Sequence, residues 1–176
     1  MNISLVRHTK VALPPGICYG ISDVALADSY EHEIDSVYQK LKHLNNPVVY
    51  SSPLLRCRLL AEKLSAKVIF DDRLKELNFG VWELQPWDQI KGPDADAWMN
   101  DFVNIPCPGG ESYRELNNRT TEFLSDLNNS KLSAAIIVTH AGVIRSMLSM
   151  IQNIPLHQSF EFQVMYGEII DLHWER

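Results

Sequence analysis

The chain has 176 residues, of which 45% are hydrophobic and 22% charged, with a formal net charge of -6. That length suits one domain with a sizeable core, and the composition is that of a globular rather than a disordered protein. The negative balance argues against a general nucleic-acid binder, which needs a basic face, but leaves room for a small anionic ligand wherever a few cations converge.

Residues 3–6 are β-prone and bounded by polar residues, which predicts a buried first strand. Residues 11–26 hold Pro14, Pro15, Gly16 and Gly20 and read as a structured loop. From 28 to 44 the apolar positions Ile34, Val37, Tyr38, Leu41 and Leu44 recur at helical spacing. A short strand follows at 47–50. Ser52 and Pro53 are expected to open the next helix, the serine as cap and the proline in the first turn. Residues 67–70 form another short strand. The stretch 71–111 differs in character: it carries Trp82, Trp87 and Trp98 among Pro86, Pro93, Pro106 and Pro108. It reads as a lid over a site or as an ordinary packed insertion. Residues 112–127 make an amphipathic helix through Leu116, Phe123, Leu124 and Leu127, with Ser112 and Glu115 spaced as a capping box. An apolar strand at 134–138 leads into Thr139, His140, Ala141 and Gly142, then a helix to about Ile151. Residues 160–174 alternate well enough for one or two final strands.

Strands alternating with helices predict an α/β fold: a three-layer sandwich on a mostly parallel central sheet, with an antiparallel edge. One domain is expected over residues 1–176, with a cap-like insert at about 71–111. Cys18, Cys57 and Cys107 lie far apart without a CxxC pair, so they read as free thiols rather than as zinc ligands or a disulfide framework. No metal or other cofactor is expected. The amino end shows no signal-peptide pattern and no apolar run spans a bilayer, so a cytoplasmic location is the expectation.

In sheets of this kind ligands gather at the carboxyl ends of the strands. Arg7 and His8 stand at the end of the first strand; Ser51, Ser52 and, a helical turn later, Arg56 follow the second; His140 follows the late apolar strand. Any one of these has a bland explanation as a strand terminus or a solvated helix residue. Together they deliver cations to one sheet edge. Arginine suits phosphate through its planar fork. Neutral imidazole is nucleophilic near pH 7 and its charged form stabilises an anion. The expected partner is a small phosphorylated metabolite, with no nucleic acid and no membrane.

The stretches LVRHTK (5–10), SSPLLRCRLLAEKL (51–64), LKELNFGVWE (74–83), PGGES (108–112) and VTHAGVIRSML (138–148) stand in that order. Together they resemble the histidine phosphatase superfamily, whose fold is called phosphoglycerate-mutase-like. The resemblance covers nearly the whole chain. It implies that His8 is the nucleophile that becomes phosphohistidine, and that Arg7, Arg56 and His140 hold the phosphoryl oxygens. Glu76 would be the general acid for the leaving oxygen, and the Ala141 N–H a further anion contact. Tyr19 and Gly20 match the loop bordering the substrate. The family usually reads R-H-G-x-[ST]; here Thr9 replaces the glycine and Val11 the hydroxyl residue.

Mutases of the family are usually longer, so the chain resembles the compact phosphatases. The loop GICYGISDVALA (16–27) is similar to that of the α-ribazole phosphatases, which remove the 5′-phosphate of α-ribazole phosphate in cobalamin assembly. That ligand would bring an apolar ring, for which the tryptophans of 71–111 and Tyr19 offer aromatic contacts. A phosphatase or mutase for small sugar phosphates or phosphoglycerate is the alternative. A non-catalytic phosphoryl-binding module is a third possibility.

Overall fold

The computed structural model describes residues 1–174. Five strands, β1 (Asn2–Arg7), β2 (Val48–Ser51), β3 (Val68–Phe70), β4 (Ala134–Thr139) and β5 (Ile169–His173), form one sheet in the order β3-β2-β4-β1-β5. The first four run parallel and β5 is the antiparallel edge, paired to β1. The α/β sandwich and its mostly parallel sheet are as the sequence predicts, and the tail supplies one strand. Of the tail's earlier part, Phe160 and Glu161 end a 3₁₀ helix (Leu156–Glu161), and the stretch from there to β5 is irregular.

Strand periodicity sorts the core into two layers, because successive side chains point to opposite faces. Ile3 and Leu5 of β1 join Ala135 and Ile137 of β4 on one face, beneath α4 (Tyr113–Asn129) and α5 (Ala141–Ile151). Val6, Ile136 and Val138 face the other way, against α1 (Tyr30–Leu41) and α2 (Leu55–Leu64). Both faces of the central strands are therefore covered, which is why β4 reads as a continuous apolar run. At the start of α4 Ser112 and Glu115 form the reciprocal cap read from the sequence, the serine N–H donating to the glutamate at 2.7 Å.

Ser52 and Pro53 do not cap α2. The helix begins at Leu55 behind Leu54, whose side chain does not cap it; the Leu55 N–H donates to the Asp23 carboxylate at 2.8 Å instead. The Ser52 N–H instead prolongs the sheet pairing by donating to the Val138 carbonyl at 3.0 Å. This sends its hydroxyl to His140, 2.9 Å away. Residues 71–111 contain three short 3₁₀ turns and α3 (Pro93–Asn100). Their tryptophans pack on one another: Trp87 and Trp98 stack at 5.9 Å, and Trp82 meets Trp98 edge-on at 5.7 Å. Trp82 is buried and Trp87 and Trp98 are partly buried against the core, which contributes to holding the segment in place.

Candidate active site

Parallel pairing in register sets the centre of the site. Arg7 lies opposite Thr139, so the next residues, His8 and His140, leave the sheet side by side with ring centroids 5.1 Å apart. Both are almost wholly buried. His8 Nδ1 lies 2.7 Å from the Thr9 carbonyl. A carbonyl only accepts, so Nδ1 carries the proton and Nε2 presents its lone pair. His140, just ahead of α5, has Nε2 at 2.9 Å from Ser52 Oγ and 3.4 Å from the Cys57 thiol.

Arg56 comes from the first turn of α2 and is fully buried. It donates to the carbonyls of Gly20 at 2.5 Å and Ser22 at 2.9 Å. Arg7 donates to the Val164 carbonyl at 2.7 Å. Neither arginine has a carboxylate partner among the described residues, and the Nε of each is buried without a hydrogen bond. A buried cation, Arg56, and a partly buried one, Arg7, both lacking a counter-charge, are costly unless an anion joins them. The Thr9 hydroxyl is also buried and unpartnered.

Burial, then the Arg56 and Arg7 charges, hold His8 well below the usual imidazole range, with the Thr9 carbonyl acting the other way. Burial and Arg56 do the same to His140, with smaller effects of His8, Arg119 and Arg7. Both rings are thus neutral in the folded protein and take up protons on unfolding at acid pH. Stability from this source is fully present above about pH 6.5 and is lost as pH falls below it. The expected slope is about 1.4 kcal/mol per pH unit for each histidine. Urea unfolding in phosphate-free buffer between pH 7 and 5 checks it: His140→Asn should flatten the dependence by about that amount, and an unchanged slope would contradict neutral burial.

Glu76 lies at the amino end of α5. Its carboxylate accepts from the Leu77 N–H and from the Gly142 N–H, each at 3.0 Å. Ala141 is the residue between Gly142 and His140, and its N–H is among the donors that a helix start leaves unpaired. A Cβ at Gly142 would stand 2.3 Å from Glu76 Oε1. Gly142→Ala should therefore displace the carboxylate while leaving the fold intact, because alanine suits a helix better than glycine. A fall of roughly 100-fold in kcat with little change in Tm is expected, the lower end of what a positioned general acid supplies.

Tyr19 and Tyr166 arch over the arginines. Tyr166 covers Arg7 at 3.9 Å, Tyr19 covers Arg56 at 5.4 Å, and the two hydroxyls meet at 2.8 Å. All eight residues singled out in the sequence thus lie at or beside one end of the sheet. Reading the sequence leaves Tyr166 unassigned, since it sits in the irregular stretch before β5.

It also leaves Glu83 without a role, although it closes the stretch LKELNFGVWE. That carboxylate accepts from the N–H groups of Gly20, Ile21 and Ser22, so it folds the loop whose carbonyls hold Arg56. Gly20 is required there because a Cβ would meet the Leu77 carbonyl at 1.7 Å. Arg119 is missed for want of any local signal, and Glu111 is missed although it stands in PGGES. Arg119 donates to the carbonyls of Arg73, Lys75 and Glu76 and pairs with Glu111 at 2.6 Å, which fixes the backbone beneath the Glu76 carboxylate.

A sequence model of the histidine phosphatase superfamily (branch 1) matches residues 3–176. The chain belongs to that superfamily. It is 27% identical over 176 residues to the adenosylcobalamin/alpha-ribazole phosphatase of Salmonella typhimurium, covering 95% of this chain and 87% of that protein. It is also 27% identical over 184 residues to phosphoserine phosphatase 1 of Hydrogenobacter thermophilus, covering 99% and 87%. Alignments span as little as 66% of another such relative. The crystal structure of the alpha-ribazole phosphatase from Shigella flexneri superposes with a TM-score of 0.90 at 22% identity, covering 97% of this chain and 89% of that one, and shows the same fold. No helix among the described residues is long and apolar enough to cross a membrane.

Proposed function

We propose that this histidine phosphatase hydrolyses a small phosphomonoester through phosphohistidine at His8. The observation that carries the proposal is a pair of carboxylate-free arginines, Arg56 buried and Arg7 partly buried, flanking a histidine whose Nε2 lone pair is free. Their two positive charges match a phosphoryl dianion. The anion in turn offsets the positive charges that act on His140 alongside its burial, so that ring can donate to a phosphoryl oxygen. His8 Nε2 attacks phosphorus in line, and the bond to the leaving oxygen breaks as the N–P bond forms. Glu76 gives its proton to the departing alcohol and then takes one from the water that cleaves the N–P bond. Free phosphate and neutral His8 result.

The finer reading is α-ribazole 5′-phosphate. It is supported by the loop at residues 16–27, by the Salmonella relative, and by a rim of half-exposed rings, Tyr166 and Phe160, that suits an apolar aromatic group. Phosphate release in the presence of EDTA tests it, with phosphoserine, 3-phosphoglycerate, fructose phosphates and phenyl phosphate as comparisons. Preferred turnover of α-ribazole 5′-phosphate is expected. Preference for one of the others would retain the phosphatase and discard this substrate. Binding without release from any would leave a phosphoryl-binding module.

A further inference from the structure

Arg145 takes no part in the chemistry above, yet it borders the same opening. It stands three residues after Gly142 on α5, hence on the face of the helix whose N–H secures Glu76. Its Nε donates to the Phe162 carbonyl at 2.9 Å, and the Phe160 ring lies 5.2 Å from its guanidinium. Arg7 holds the carbonyl two residues further along the same segment, that of Val164. Carbonyls two residues apart are about 7 Å apart along an extended chain. The two guanidinium groups are therefore near neighbours. Arg145 is half-buried; burial lowers its pKa, while the Glu76 carboxylate and the Arg7 cation also act on it, with opposite signs. Its side chain is anchored through Nε, whereas its two terminal nitrogens have no hydrogen-bond partner among the described residues.

We propose that Arg145 determines specificity for the leaving group: its guanidinium donates to an oxygen acceptor, hydroxyl or carboxylate, carried by the alcohol whose phosphate is removed. The inference rests on the phosphatase reading. Arg7, Arg56 and His140 serve the phosphoryl oxygens and Glu76 marks the leaving oxygen. The next donor beyond Glu76 then faces the alcohol. Two arginines already match the dianion, so a third cation beside it favours a leaving group that is rich in oxygen or anionic. A purely hydrocarbon alcohol gives its donors nothing and leaves them facing water.

The test compares wild type with Arg145→Met, which keeps the apolar stem, and Arg145→Lys, which keeps the charge without the fork. The probes are 3-phosphoglycerate, phosphoserine, α-ribazole 5′-phosphate and phenyl phosphate, the last having no oxygen in its leaving group beyond the ester oxygen. The expected result is that kcat/KM for the preferred oxygen-bearing substrate, relative to phenyl phosphate, falls about 10- to 100-fold in Arg145→Met, the contribution of a charge-assisted hydrogen bond. The loss should appear mainly in KM. The lysine variant should recover part of the ratio for a carboxylate substrate and little for the ribose, which separates the two acceptors. An unchanged ratio in Arg145→Met, including an equal loss on all substrates from a displaced Phe162 segment, overturns the proposal. Calorimetric binding to His8→Ala protein supplies the second arm: if no oxygen-bearing ester outbinds inorganic phosphate in an Arg145-dependent way, the inference fails even where nothing is turned over. Absence of turnover with Arg145-dependent binding intact would instead count against the phosphatase reading alone.

Discussion

His8→Ala protein is expected to lose phosphatase activity by on the order of 10⁴-fold or more, because binding and charge stabilisation alone remain once the nucleophile is gone. The fold should survive. The His8 N–H donates to the Thr139 carbonyl and its own carbonyl accepts from the Gly167 N–H, and alanine keeps both bonds. Arg7 and Arg56 also remain, so inorganic phosphate should still bind and raise Tm. That combination separates a nucleophile from a binding ligand. Rapid quench with a labelled substrate should place the phosphoryl group on wild-type protein and leave none on the variant. Full activity in His8→Ala, or label retained on it, would remove His8 from the mechanism.

Arg56→Met should reduce kcat/KM by about 10²- to 10³-fold, the range seen when one preorganised donor to a developing anion is removed. Its effect on the free protein should be smaller. The substitution frees the carbonyls of Gly20 and Ser22, but it also eliminates a buried cation that has no carboxylate partner. The clearest difference should come with phosphate present. A ligand at 100 times its Kd stabilises a fold by about 2.7 kcal/mol, and much of that gain should vanish in the variant. Arg56→Lys should restore little, since one ammonium cannot span two carbonyls and a phosphoryl oxygen as a guanidinium does. Activity within a few-fold of wild type in Arg56→Met would remove it from the phosphate pocket.

The sheet and the place where the candidate residues converge were legible in the sequence because both follow short-range rules. Apolar strands announce themselves by composition, and ligand-facing groups collect where parallel strands end. Arg7, His8 and His140 needed nothing else. Ser52 was misread because serine before proline has two uses, as a helix cap or as a side-chain ligand. Only the pairing of its N–H with Val138 decides between them. The tryptophans were ambiguous for the same reason: composition cannot tell whether rings face one another or a cleft. Glu83 and Arg119 act on backbone groups distant in the chain, through contacts with no period and no motif. Their assignment had to wait for the fold.

The in-register pairing of β1 with β4 makes the histidine pair a gauge of strand alignment. A slip of one residue would turn His140 to the opposite face of the sheet, and a slip of two would keep the face but carry it about 6.6 Å along the strand. Neither leaves two imidazoles 5.1 Å apart. Length changes within residues 134–139 should therefore silence the enzyme even where the hydrophobic layers repack, whereas substitutions that preserve length are free to vary the core. For anyone redesigning this scaffold, the spacing of β4 is a dimension to hold constant before any side chain is chosen.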